Sequence, residues 1–173
     1  EASVPAGTRS LLFRLTSPEN KGMKLDDLFI VPCIPMKVNQ QVEMTSSVYP
    51  VMVRIPCNPV LSLNVRTDGC LNPQCLTAVN LDFTGTTKLS DIAAVTVIRG
   101  EEEPLIHHGE ELFPKDSSQV LGTVKLAGSA RPQISVKGNM ELEPGDNYLW
   151  ACVTMKEGAS LDGRAVVRPA SVV

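Results

Sequence analysis

From residue 76 to 83 apolar and polar positions alternate, so that Thr77, Val79, Leu81 and Phe83 fall on one side and Ala78, Asn80 and Asp82 on the other. Successive side chains of an extended chain point to opposite faces, and this period of two predicts a half-buried strand. Leu61, Leu63 and Val65 alternate with Ser62, Asn64 and Arg66 in the same way, and Leu11, Phe13 and Leu15 alternate with Arg14 and Thr16. Residues 92–98 are apolar on both faces and rich in β-branched side chains, which predicts a strand covered on both sides. Over 147–155, Tyr148, Trp150, Cys152 and Thr154 share one face and Leu149, Ala151, Val153 and Met155 the other, again the pattern of a central strand. Further strands are predicted over 28–31, 119–126, 133–136 and 165–172.

Turn-forming residues punctuate these runs: Gly-Thr-Thr at 85–87, Pro-Lys-Asp-Ser-Ser at 114–118, Gly-Ser-Ala-Arg-Pro at 128–132 and Pro-Gly-Asp-Asn at 144–147. No stretch supports three clean helical turns; residues 89–95 predict at most one turn, capped by Ser90, ahead of a strand. The fold class that follows is all-β, an antiparallel β-sandwich of immunoglobulin or jelly-roll type with little helix, and a closed barrel satisfies the same pattern. Residues 1–45 read differently. They carry Pro5, Pro18, Pro32 and Pro35, short apolar runs and the polar stretch Asn39-Gln40-Gln41, so they form an N-terminal extension, either added strands or part of an upstream module. The sandwich is expected over 46–173.

Composition narrows the chemistry. The chain has 173 residues, of which 43% are apolar, enough to bury roughly 70% of the unfolded surface in one domain. Its net charge is -3 and its 16 basic residues are scattered, which argues against a nucleic-acid partner. No apolar run is long enough for a transmembrane segment, and residues 1–10 lack the basic start and apolar stretch of a secretory signal. Five cysteines cannot all pair within one chain. Cys70 and Cys75 flank the turn-forming Asn72-Pro73, which brings them towards the 4.4–6.8 Å Cα separation (about) that a disulfide needs, so this is the candidate bridge. Cys33 and Cys57 supply no second pair at zinc-ligand spacing, so no metal is predicted.

Candidate catalytic residues do not converge. The two histidines, His107 and His108, are adjacent and would point to opposite sides of an extended segment. Flanked by Glu101-Glu102-Glu103 and Glu110-Glu111, they belong to an acidic loop that is either a pH-sensitive, sugar-contacting element or a solvated connection. There is no Gly-x-Ser-x-Gly, phosphate-binding glycine loop or His-Glu-x-x-His motif, and the chain is read as having no catalytic residues and no cofactor. The sole tryptophan, Trp150, is either core or a ring on which a sugar stacks.

Four blocks taken in order resemble a known family: Ser-Val-Tyr-Pro-Val-Met-Val at 47–53, Asn-Pro-Val-Leu-Ser-Leu-Asn-Val at 58–65, Leu-Asp-Phe-Thr-Gly-Thr-Thr-Lys-Leu-Ser-Asp-Ile-Ala-Ala-Val at 81–95, and Gly-Asp-Asn-Tyr-Leu-Trp-Ala-Cys-Val-Thr-Met at 145–155. Together they are similar to the N-terminal domain attached to BNR-repeat sialidases of gut and oral Bacteroidetes, over about residues 47–173. The resemblance implies a secreted, periplasmic or outer-surface β-sandwich that acts as a noncatalytic carbohydrate-binding module upstream of a sialidase propeller and targets sialylated or mucin-type glycans. The Asp-box Ser-x-Asp-x-Gly-x-x-Trp of such propellers is absent, and Arg54-Ile55-Pro56, which matches the Arg-Ile-Pro of the sialidase active site, stands without the accompanying arginine cluster and nucleophilic tyrosine. Candidate sugar contacts are Tyr148, Trp150, Arg99, His107 and His108. The competing expectation is a structural spacer packed against the propeller through an interface of about 600–1,500 Å².

Overall fold

The computed structural model describes residues 34–46, 50–102, 119–127, 131–160 and 162–173. Eight strands follow in order: β1 (Lys37–Ser46), β2 (Asn58–Asp68), β3 (Cys75–Asp82), β4 (Ile92–Gly100), β5 (Val120–Lys125), β6 (Gln133–Glu141), β7 (Gly145–Met155) and β8 (Arg168–Val172). Five of them form one sheet in the order β1-β2-β7-β4-β5 and three form a second in the order β6-β3-β8. Every ladder between them is antiparallel. The architecture is an all-β, sandwich-like fold.

The alternation seen in the sequence decides which side chains meet between the sheets. Leu61, Leu63 and Val65 of β2, Val95 and Val97 of β4, and Leu149, Ala151 and Val153 of β7 face inward from the larger sheet. Val79 and Leu81 of β3 and Ile134, Val136 and Met140 of β6 meet them from the smaller one. Each fully buried aliphatic side chain contributes roughly 1.5–3 kcal/mol relative to leaving it in water. β7 lies between β2 and β4, and β4 is buried on both faces, Thr96 at its outer side being 1% exposed.

Two inward positions differ from strict alternation. The register of β3 against β6 shifts between Leu76 and Ala78, and this bulge turns Leu76 into the core while Thr77 is exposed. Thr77 instead donates its hydroxyl to the Val173 carbonyl. The short turn before β4 is a 3₁₀ turn over Leu89–Asp91 whose cap position is Lys88, so Ser90 sits inside the turn and not at its start.

β1 is a strand that the polar run Asn39-Gln40-Gln41 conceals in the sequence. It pairs with β2 from Lys37↔Asp68 to Ser46↔Leu61, with an irregularity between Val38 and Val42. Residues 37–45, grouped above with the N-terminal extension, thus hydrogen-bond to the larger sheet. The strands expected over 11–15 and 28–31, and the turn at 114–118, lie outside the described residues.

On one side the two sheets touch backbone to backbone. A Cβ added at Gly138 of β6 would lie 1.7 Å from the Leu121 carbonyl oxygen, and one added at Gly122 of β5 would lie 2.3 Å from the Lys137 carbonyl oxygen. Only glycine allows β5 and β6 to approach this closely.

The cysteine pairing differs from the local bridge suggested by spacing. Cys57 and Cys152 form a disulfide with a Cα separation of 5.0 Å, and Cys75 is a free, exposed thiol. Cys70 is disulfide-bonded, not with Cys75. Different neighbours hold the two ends of the 70–75 turn. The Cys70 and Leu71 amides donate to the Ile34 carbonyl at 2.9 and 3.0 Å, whereas Cys75 opens β3 opposite Glu141. The Cys57–Cys152 contact follows from the β2–β7 register, in which Asn58 lies opposite Val153 and Pro59 opposite Cys152.

Candidate functional site

Among the described residues, the sequence-predicted site residues do not converge. Tyr148 and Trp150 project from the outer face of the larger sheet, where Tyr148 lies opposite Asn64 and Gly100, and Trp150 opposite Ser62 and Ile98. Arg99 lies opposite Leu149 and so belongs to the other face. Its guanidinium pairs with the Glu143 carboxylate at 2.7 Å and donates to the Glu141 carbonyl, clamping the β6–β7 connection. His107 and His108 lie outside the described residues.

Trp150 is sealed in place. It is 6% exposed and clusters with Ile98 and the two disulfide cysteines, with Val120 packed alongside. Its indole N–H donates to the Glu101 carbonyl at 2.9 Å. The backbone at Gly100 runs against the ring edge, where an added Cβ would come within 2.7 Å of Cδ1. A ring so covered has no open face for a sugar, and its one donor is already used.

A second region has the opposite character. At the end of the sandwich where β2 and β4 begin and β7 finishes, three loops enclose a groove of about 570 Å³. One wall is the 50–57 loop, which contributes Pro50, Val51 and Val53. It is braced by Asn58, 3% exposed, whose Oδ1 accepts from the Met52 amide at 2.8 Å while Nδ2 donates to the carbonyls of Met52 and Val153, both at 3.0 Å, and of Ile55 at 3.4 Å. The Cys57–Cys152 disulfide and a hydrogen bond from the Thr154 hydroxyl to the Pro56 carbonyl anchor the end of the same loop.

The other two walls are the 84–91 loop and residues 156–160 and 162–167, and they are stitched together. The Thr87 amide donates to the Arg164 carbonyl at 2.9 Å and the Arg164 amide to the Thr87 hydroxyl at 3.2 Å. The Thr86 hydroxyl donates to the Val166 carbonyl at 2.9 Å and accepts from the Val166 amide at 3.0 Å. Asp91 Oδ2 accepts the Ser160 amide at 2.9 Å. The loop itself starts from a tight turn: both the amide and the hydroxyl of Thr84 donate to Asp82 Oδ1, at 2.9 and 2.6 Å. These bonds, with a smaller contribution from the Arg168 charge, hold the Asp82 carboxyl below the usual carboxylate range.

Val60, Ile92, Met155 and Val167 line the groove as apolar surface, and Lys88 and Arg164 supply its positive charge. Both cationic side chains are exposed, and neither forms an ion pair or side-chain hydrogen bond among the described residues. Asp91 is the acidic residue of the lining, and one of its oxygens is committed to Ser160. Among the described residues no group of three or more His, Cys, Asp or Glu is placed to hold a metal ion. The arrangement can bind and orient; it offers no paired acid and base. Sequence reasoning passed over this groove, although its signal was present: the Gly-Thr-Thr-x-Leu-Ser-Asp-Ile run supplies Thr86, Lys88, Asp91 and Ile92 to the lining.

With this geometry in view, the comparisons with known proteins are specific. A family model described as the N-terminal domain of BNR-repeat neuraminidase matches residues 39–173. Among solved structures, the chain shares its fold with the Hadza microbial sialidase Hz136, at a TM-score of 0.57 and 18% identity, over 75% of this chain. It spans 28% of the length of that sialidase. No curated protein matches. No helix among the described residues is long and apolar enough to cross a membrane.

Proposed function

Because the chain belongs to the family of N-terminal domains of BNR-repeat neuraminidases, we propose that this sialidase accessory module is noncatalytic and holds carbohydrate, delivering a neighbouring propeller to sialylated or mucin-type glycans. The observation that carries the reading is the groove at the end of the sandwich. Its walls are fixed by internal hydrogen bonds, while the charged side chains of Lys88 and Arg164 on its lining form no ion pair or hydrogen bond among the described residues. A preformed recess of about 570 Å³ with an apolar floor and a few polar groups suits a small ligand, whose binding then costs little loop ordering. The Cys57–Cys152 disulfide supports a location outside the cytoplasm, in the periplasm, on the outer surface or in the medium.

A second reading keeps the module as a spacer that packs on the propeller. It is favoured by the covered state of the rings among the described residues: Phe83 is 1% and Trp150 6% exposed, and Tyr148 is half-buried. Binding of the 173-residue chain to an array of sialylated and mucin-type glycans separates the two. Saturable binding without cleavage of a fluorogenic sialoside is expected. Silence across the array would leave the spacer, and cleavage would remove the noncatalytic assignment.

A further inference from the structure

We infer that Cys33 is the disulfide partner of Cys70, and that this second bridge is a reducible staple: a dithiol opens it and releases the start of β1 while Cys57–Cys152 and the core stay closed.

The pairing follows from elimination and from backbone geometry. The chain has five cysteines. Cys57 and Cys152 are joined to each other, Cys75 is a free thiol and Cys70 is disulfide-bonded, which leaves Cys33 as the partner of Cys70 within the chain. The residue next to Cys33 lies against Cys70. The Ile34 carbonyl accepts the Cys70 and Leu71 amides at 2.9 and 3.0 Å, the Met36 amide donates to the Leu71 carbonyl at 2.7 Å, and Pro35 bridges Leu71 in the parallel sense. Gly69, at φ +87°, permits this contact, since an added Cβ would lie 2.5 Å from the Ile34 carbonyl oxygen and 2.7 Å from that of Pro35. Consecutive Cα atoms are about 3.8 Å apart, so residue 33 stands one step from a residue paired beside Cys70, which suits the roughly 4.4–6.8 Å Cα separation of a disulfide.

The two bridges differ in access. Cys57 and Cys152 are each 1% exposed and packed with Ile98 and Trp150, whereas Cys70 begins a turn that is exposed from 70 to 75. A thiolate must reach one sulfur of a disulfide to break it. One thiolate of the dithiol attacks Cys70 Sγ, the S–S bond to Cys33 breaks, and Cys33 leaves as a thiolate that takes up a proton. The second thiolate of the reductant then closes on the first sulfur, so that Cys70 departs as a thiolate, is protonated in turn, and leaves the reductant oxidised to a cyclic disulfide.

The position of the staple gives its opening a structural readout. Among the described residues β1 is an end strand of the larger sheet, paired with β2. The pairs Lys37↔Asp68 and Val38↔Thr67 lie at the end of the ladder where β1 begins and β2 finishes, which is the end that Cys33–Cys70 fastens. An irregularity between Val38 and Val42 separates them from the unbroken run of pairs from Val42↔Val65 to Ser46↔Leu61. The first two pairs therefore depend on the staple and on the bonds of 34–36 to 70–71, while the later ones hold without it.

The test uses the 173-residue chain under native conditions. Alkylation without reductant should label Cys75 alone, and mass spectrometry of a non-reduced digest should return one peptide pair joining Cys33 to Cys70 and another joining Cys57 to Cys152. Dithiothreitol should open Cys33 and Cys70 to the alkylating reagent at least about tenfold faster than Cys57 and Cys152, because the buried bridge has to wait for the core to open. Hydrogen exchange at the amides of 36–38 should then rise, while Val95, Val97 and Leu149 keep their protection. Cys33→Ser combined with Cys70→Ser should show the same raised exchange without reductant, with Trp150 fluorescence unchanged and Cys75 still the labelled thiol. A Cys70 peptide joined to any other cysteine, or Cys33 alkylated in the untreated chain, would overturn the pairing. Equal rates of opening for the two bridges, or unchanged exchange at 36–38 after reduction, would overturn the staple.

Discussion

The outer face around Trp150 and the groove at the end of the sandwich are built from overlapping parts of the chain, yet they are finished in opposite ways. Around Trp150 every contact is inward: the indole donor is taken by Glu101, its edge is covered at Gly100, and the disulfide fills the adjoining space. Around the groove the walls are equally well bonded, but the cations on the lining are left over. A residue type associated with binding is thus a poorer guide than the state of its polar atoms. The chain's only tryptophan is structural material, while two ordinary basic residues hold unspent electrostatic capacity.

The cross-link serves both regions, so losing it should have the largest effect. Replacing Cys57 and Cys152 with serine, or reducing the bridge, is expected to cost about 3–5 kcal/mol, because the sequence separation of 95 closes a long loop. Urea unfolding with and without reductant measures it; a cost near zero would break the view that one fastening organises both regions.

Asn58→Ala comes next, at about 2–3 kcal/mol, since it strands buried carbonyls and an amide in the 50–57 wall. Asn147 provides the control. It is equally buried at 3% exposure and braces the opposite end of the β2–β7 pair, its Nδ2 donating to Val65 and Glu143 carbonyls at 3.1 and 2.9 Å while Oδ1 accepts the Glu143 amide at 2.8 Å. Asn147→Ala should cost a similar amount. Only the Asn58 variant should weaken sialyllactose binding, measured by calorimetry below the unfolding transition.

Trp150→Phe should lose about 1–2 kcal/mol through the missing donor and the smaller ring, and leave glycan affinity as it was. In the parent chain the emission should be blue-shifted and resistant to acrylamide. A solvent-quenched indole would reverse the contrast between the two regions.

The smallest effect concerns Asp82, whose carboxyl is depressed in the folded state by the two Thr84 hydrogen bonds. A depressed carboxyl stabilises the fold above its unfolded value, near about 4, and that contribution is lost as pH falls through the folded value. Thr84→Ala should move the Asp82 titration upward by NMR and leave the Trp150 face unaltered.

Much of this was legible in the sequence, and the rest was not for identifiable reasons. The two faces of β2 and β7 followed from alternation, because a strand between two neighbours obeys its pleat, and the burial of β4 on both sides followed from its unbroken apolar run. β3 obeyed only beyond the register shift against β6 between Leu76 and Ala78, before which Leu76 and not Thr77 is buried. β1 was hidden by Asn39-Gln40-Gln41, a composition that a strand with one partner tolerates. The disulfide could not be found from spacing, because the approach of Cys57 to Cys152 is a product of β2–β7 register and not of a local turn. The groove was the least legible part. It is assembled from loops around 50, 85 and 160, and although the run at 85–92 supplies part of its lining, only the fold brings the other walls to it.

The same register has a consequence for how the polypeptide breaks. Strands β2 to β6 and most of β7 lie between Cys57 and Cys152, inside a closed covalent ring, whereas β1 and β8 lie outside it. A protease that hydrolyses one bond within the ring produces two pieces that still migrate as a single species on a gel and part only when thiol is added. A cut after Cys152 releases its fragment at once, so digestion with and without reductant separates cleavage after Cys152 from cleavage inside the ring.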